Sequence, residues 1–206
     1  MGENEQKYPI TLKGELTEPL SRWLWLVKWF LLIPHFVVLA FLWAAFCIVW
    51  IIAFFAILFT ERFPRSLFEF NAGVLRWTWR VGFYGYLALG TDQYPPFSLK
   101  AGGYPADLEI VYPDVNLSRG LALIKWWLLA IPHYIVVSVF QGGMGGLRFG
   151  GLVFILVIFS AVVLLFTGQY HKDIFQFIMG MNRWTFRAIG YAALMTDRYP
   201  PFRLQD

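Results

Sequence analysis

One cysteine, Cys47, is all the thiol the chain has, and it lies inside an apolar run. That count excludes a disulfide framework and a cysteine metal site. Charge is also scarce. Asp, Glu, Lys and Arg make up 15% of the 206 residues, where a soluble domain carries about a quarter. Catalytic constellations are missing too. No Ser, His and Asp fall in a usable order, no Gly-rich phosphate loop joins a strand to a helix, and no His/Glu pair has metal-ligand spacing. Met1 to Thr17 is polar and mixed in charge, unlike a cleavable leader. Trp23 onward is expected to act as an uncleaved anchor. These absences point away from an enzyme and from a nucleic-acid binder.

What is present is apolar and aromatic. Hydrophobic residues reach 58% and aromatics 20%, concentrated in two runs, Trp23 to Phe59 and Gly120 to Phe166. As a single helix the first run, 37 residues, would be about 55 Å long against about 30 Å of bilayer hydrocarbon. It suits two short spans better than one.

The chain says most things twice. Lys28-Trp29 with Ile33-Pro34-His35 returns as Lys125-Trp126 with Ile131-Pro132-His133, and Leu58-Phe59-Thr60 as Leu165-Phe166-Thr167. Arg76-Trp77-Thr78-Trp79-Arg80 returns as Arg183-Trp184-Thr185-Phe186-Arg187. Thr91-Asp92-Gln93-Tyr94-Pro95-Pro96-Phe97 returns as Thr196-Asp197-Arg198-Tyr199-Pro200-Pro201-Phe202. Four ordered matches mark a duplication, with repeats at 1–99 and 100–206. The offset is 98 residues at the histidines and 107 at Phe59 and Phe166, so nine residues entered the second run.

Those nine fall in the Gly-rich stretch Gln141 to Gly151, which carries Arg148 and belongs at water. Each run is therefore expected to be a helical hairpin, over 22–62 and 119–169, with the first turning near Trp43 and Ala44. The competing reading breaks each run at Pro34 and Pro132 and leaves a single crossing. A third helix follows in each copy, over 66–90 and 173–195. Leu67, Phe70, Val74, Trp77, Val81, Tyr84 and Ala88 recur at spacings of three and four, an amphipathic stripe. Its arginines favour a place in the membrane interface over a crossing. The expected fold class is an all-α integral membrane protein with four transmembrane helices in two hairpins, two interfacial helices and a small cytosolic β layer. Asp107 to Tyr112 alternates like a strand, and Ile10-Thr11-Leu12 and Phe97-Ser98-Leu99 are its candidate partners. With hairpins, sixteen of seventeen Lys and Arg fall on the side of the termini, so both termini are expected in the cytoplasm.

Few residues are candidates for chemistry. His35 and His133 each follow a proline that leaves the carbonyl of Phe30 or Leu128 without its helical donor. They are read as structural histidines in a kinked helix, or as a partner contact, or as ligands to a haem or chlorophyll-type pigment. Lys28 and Lys125 beside Trp29 and Trp126 are expected to snorkel to a headgroup. Arg76, Arg80, Arg183 and Arg187 are either a positive-inside anchor or a site for anionic lipid phosphates. Asp92 and Asp197 are read as turn residues.

In combination these motifs resemble a tandem-repeat bacterial membrane family, domain of unknown function 4389, over nearly the whole chain. Copy one departs from it at Thr60-Glu61-Arg62, where Thr167-Gly168-Gln169-Tyr170 is the more typical form. The resemblance implies an architecture and no activity. The expected role is a non-enzymatic accessory or scaffold subunit, with membrane lipids and other membrane-protein subunits as partners. Lipid handling or small-solute transport is the alternative.

Overall fold

A computed structural model describes residues 8–143 and 150–205, and within them the chain is mostly helical. The order is β1 (Ile10–Gly14), α1 (Trp25–Leu31), α2 (Ile33–Thr60), α3 (Arg65–Tyr84), β2 (Ala106–Ile110), α4 (Arg119–Ile124), a π-helical turn (Lys125–Leu129), α5 (Ile131–Gln141), α6 (Leu152–Thr167) and α7 (Lys172–Ala192). They stack in three layers. β1 and β2 pair as an antiparallel ribbon on α3 and α7, α2 packs on α3, and α5 and α6 pack on α7. Of the two partners expected for β2, β1 pairs with it, and Phe97-Ser98-Leu99 forms no strand.

The first hairpin is not there. α2 runs unbroken through Trp43 and Ala44 for 28 residues, because nothing between Pro34 and Thr60 breaks a helix. In copy two the chain leaves α5 at Gly142 and re-enters at Gly151, and these two points touch. A Cβ on Gly142 would lie 2.5 Å from the Gly151 nitrogen. The chain thus returns at Gly151 to the point where it left α5. Residues 144–149, with Arg148, lie outside the described residues. Among the described residues α2 alone is long and apolar enough to cross a membrane, or two helices if Arg119–Leu129 and Ile131–Gln141, bent by 44°, count as one. Four crossing helices are not found among the described residues.

The π-helical turn has a cause in the sequence. Lys125 follows Lys28 by 97 residues, whereas His133 follows His35 by 98, so copy two holds one extra residue between them. A π-turn takes up one residue while the helix continues, and Lys125–Leu129 is that turn. The break at Leu32 and Ala130 comes just before Pro34 and Pro132 in both copies.

α3 and α7 are not peripheral. Val74, Trp77, Val81 and Tyr84 of the expected stripe are buried toward α2, but Phe68, Leu75, Trp79, Arg80 and Phe83 are buried as well. With a helix layer on one side and the ribbon on the other, both faces are covered. The repeat also reaches further than its helices. Tyr8-Pro9 corresponds to Tyr104-Pro105, so β1 and β2 are the same element of the two copies, and Leu12 pairs with its own counterpart Leu108.

Candidate functional site

Three of the repeated motifs meet in space at the start of each apolar helix. In copy one the segment Thr91 to Phe97 folds back over the α1–α2 break as a strap. Lys28, 1% exposed, donates to the Thr91 carbonyl at 2.6 Å, pairs with Asp92 Oδ1 at 2.9 Å and sits 4.4 Å from the centre of the Tyr84 ring. The other carboxylate oxygen of Asp92 accepts from the Ser21 amide at 2.5 Å. Tyr94 donates its hydroxyl to the Leu31 carbonyl at 2.9 Å, at the break itself. His35 Nδ1 accepts from the Trp77 indole at 2.9 Å, with Phe97 stacked on the imidazole at 3.9 Å and Tyr94 at 5.0 Å.

Copy two repeats this contact by contact. Lys125, fully buried, donates to the Thr196 carbonyl at 2.9 Å and pairs with Asp197 at 2.7 Å, and Asp197 accepts from the Ser118 amide at 2.6 Å. Tyr199 reaches the Leu129 carbonyl at 3.2 Å. His133 Nδ1 accepts from Trp184 at 2.9 Å, with Phe202 stacked at 4.6 Å. Burial pushes the Tyr191 hydroxyl up to about 12, so the ring facing Lys125 is a neutral phenol at any physiological pH. Just before each strap a buried leucine, Leu89 or Leu194, holds a left-handed backbone (φ 50° and 65°). That conformation costs about 1 kcal/mol or more for a branched residue, and it survives in both copies, where the strap begins.

Sequence reasoning places the candidate cations outward and the structure turns them inward. Neither lysine has an exposed ammonium for a headgroup. Arg76 donates to the carbonyls of Leu108 and Leu99 and pairs with Asp107 at 3.1 Å. Arg80, fully buried, shares that carboxylate at 3.4 Å and also reaches the Ala106 carbonyl. Arg187 donates to the carbonyls of Arg203 and Gln205, and Arg183 is half-buried on the same helix. Burial pushes the Tyr8 hydroxyl above its usual range, with Arg187 pulling the other way from 5.8 Å off the ring. Arg76 and Arg80 therefore fasten the ribbon to α3, and Arg187 fastens the tail to α7.

The histidines are ill placed as ligands. An Nδ1 that accepts an indole proton carries the lone pair there, so the neutral ring holds its proton on Nε2. Nε2 is buried in both copies and makes no hydrogen bond among the described residues, with the Pro95 carbonyl near the His35 ring. A pigment metal would need the atom that carries the hydrogen. No group of three or more His, Cys, Asp and Glu among the described residues is arranged to hold a metal ion.

Asp92 and Asp197 are the residues that sequence reasoning underrated. Their signal was available: each recurs with a lysine that an apolar helix has to neutralise.

Fold and site together define a tandem-duplicated helical protein in which each copy is closed by its own strap. The chain belongs to the family described as Domain of unknown function (DUF4389), whose profile matches residues 22–98 and 121–203. The two matches coincide with the two helical repeats. No curated protein and no solved structure matches the chain.

Proposed function

We propose that the chain is a membrane-resident, non-enzymatic protein that serves as an accessory or scaffold subunit of a larger membrane assembly. The observation that carries this reading is how the polar residues are used. In each copy the lysine, aspartate, histidine and tryptophan are bound to one another or to backbone, and what remains outward on α2, α5 and α6 is apolar, from Phe36 and Phe41 to Phe159 and Phe166. Such a surface suits lipid and partner helices. Purification from the source membrane in mild detergent followed by native mass measurement tests it, with a stoichiometric protein partner expected. A chain that is always recovered alone would overturn the scaffold reading.

Lipid handling has one observation in its favour. An apolar cavity of about 540 Å³, lined by Leu32, Phe36, Leu39, Trp43, Gly82 and Phe154, opens between α2, α3 and the start of α6. Its counterpart of about 490 Å³ lies beside Cys47, Trp50, Tyr134 and Ala192. Both are in the size range of small-ligand sites. Acyl chains retained through delipidation would favour this second reading.

A further inference from the structure

The layers have an order with a consequence for membrane placement. A direct path of contacts runs through the molecule from the middle of α2. Trp43 donates its indole to Thr78 at 3.1 Å, and the next residue, Trp79, donates to the Lys13 carbonyl on β1 at 2.8 Å. Lys13 and its partner Glu109 have side chains 60% and 63% exposed. At the level of the middle of α2, then, one side of the molecule is apolar helix and the other is a water-facing ion pair.

A bilayer crossed by α2 would have its centre at that same level. Lys13 and Glu109 would lie in hydrocarbon, as would Asp107 with Arg76. Each such charge costs about 2.5–3.5 kcal/mol on insertion scales. The alternative is that the membrane touches one side only. Ile33, Phe36, Val37, Phe41, Ile48 and Phe59 are among the exposed residues of α2, at helical spacing, and His35, Leu39, Phe46, Ala53 and Ile57 are its buried ones. Neither face of α2 meets water, which explains why the helix is apolar all round although it is not enclosed by protein. About 42 Å of helix also exceeds the hydrocarbon thickness, and lying in the plane removes the mismatch.

The rim supports a headgroup layer. Arg22 lies beside Gly168 at the end of α6, and Arg119 pairs with Glu61 at the end of α2, both cations exposed. Trp23, Trp29 and Trp127 are exposed at the helix starts. Arginine and tryptophan around an apolar face are the composition of a membrane–water boundary. The same contacts make α2 and the α5–α6 path antiparallel, since each ends where the other copy begins.

We infer that the protein is one-sided. α2 and α5–α6 lie as an antiparallel raft within one leaflet of the bilayer, phosphate headgroups surround the raft at Arg22 and Arg119, and the β ribbon faces the water on that same side. This rests on membrane residence as proposed above and adds the manner of insertion. The test places single cysteines just before α1 and just past the end of α2, Ser21→Cys and Arg62→Cys, each in Cys47→Ser full-length protein. Membranes are prepared as right-side-out and inside-out vesicles and treated with an impermeant maleimide. Both positions should label in one vesicle type and lose labelling in the other. Labelling of Ser21→Cys and Arg62→Cys in opposite vesicle types would overturn the inference while leaving membrane residence intact. Recovery of the chain in the soluble fraction would remove membrane residence itself. Spin labels at Phe41, Ile48 and Phe55 provide a second measurement that does not depend on the end positions. One depth for all three is expected, whereas a maximum depth at Ile48 flanked by shallower neighbours would overturn it.

Discussion

Trp79 and Phe186 occupy the same position of the two copies, and they touch, with ring centroids 5.5 Å apart at an angle of 70°. Leu12 and Leu108 do the same in the ribbon. A residue that meets its own counterpart lies on a twofold axis, so the duplicated halves are related by a pseudo-twofold that passes through the ribbon and between α3 and α7. Only one copy keeps the polar bond at this point. The Trp79 indole reaches Lys13, and phenylalanine at 186 has no donor to offer.

Asp92→Asn leaves Lys28 buried without a counter-charge. Removing one partner of a buried pair costs about 3–5 kcal/mol, and the lower end applies because Asp92 is about a quarter exposed. Thermal unfolding in detergent should show this loss, and Lys28→Met combined with Asp92→Asn should recover much of it. A single variant as stable as the parent would contradict the ion-pair account.

His35→Phe strands the Trp77 indole N–H in a buried site, which costs about 1–3 kcal/mol. Trp77→Phe in the same chain should remove part of that penalty, and a double-mutant cycle reads the coupling directly. A coupling energy near zero would mean that the bond contributes nothing.

Glu61 ends α2 in a left-handed conformation, φ 59°, where its counterpart Gly168 has φ 73°. Glycine adopts this conformation without penalty, while another residue loses about 1 kcal/mol or more. The pair with Arg119 is exposed and offsets a few tenths of that. Glu61→Gly should therefore raise stability by about 0.5–1 kcal/mol in denaturant titration, and a lower midpoint would show that the pair outweighs the strain.

Arg80→Gln should lower stability, since Arg80 bonds β2 from a fully buried position. Retention of anionic lipid, measured per folded molecule, should stay unchanged. Loss of lipid without loss of stability would restore the lipid-phosphate reading for this arginine.

Deleting Gly142 to Gly150, nine residues, joins Gln141 to Gly151 where the chain already meets itself. The variant should fold with one continuous helix like α2, seen as unchanged or slightly higher helicity by circular dichroism. Failure to fold would show that α5 and α6 depend on the loop.

The duplication, the strand pair and the apolar helices were legible because each rests on a local pattern: four ordered motifs, alternation at Asp107 to Tyr112, and hydropathy. The hairpins misled because an insertion normally marks a boundary between elements, and here α2 runs unbroken through the matching place while Gly142 meets Gly151. The direction of the cations was not legible. Arg80 and Lys28 have the spacing of surface residues, and only tertiary packing supplies Asp107 and Asp92, 27 and 64 residues away. The His–Trp bond was hidden for the same reason, since His35 and Trp77 lie 42 residues apart on antiparallel helices.

The π-helical turn at Lys125–Leu129 bears on how the two halves have been able to diverge. One added residue in an ordinary helix rotates everything beyond it by about 100°, which would aim His133 away from Trp184. By widening a single turn, copy two keeps the lysine and the histidine in phase with their separate partners. The two anchor points of each strap thus behave as fixed posts, and the chain between them works as a length of slack that tolerates a change in residue count without moving either post.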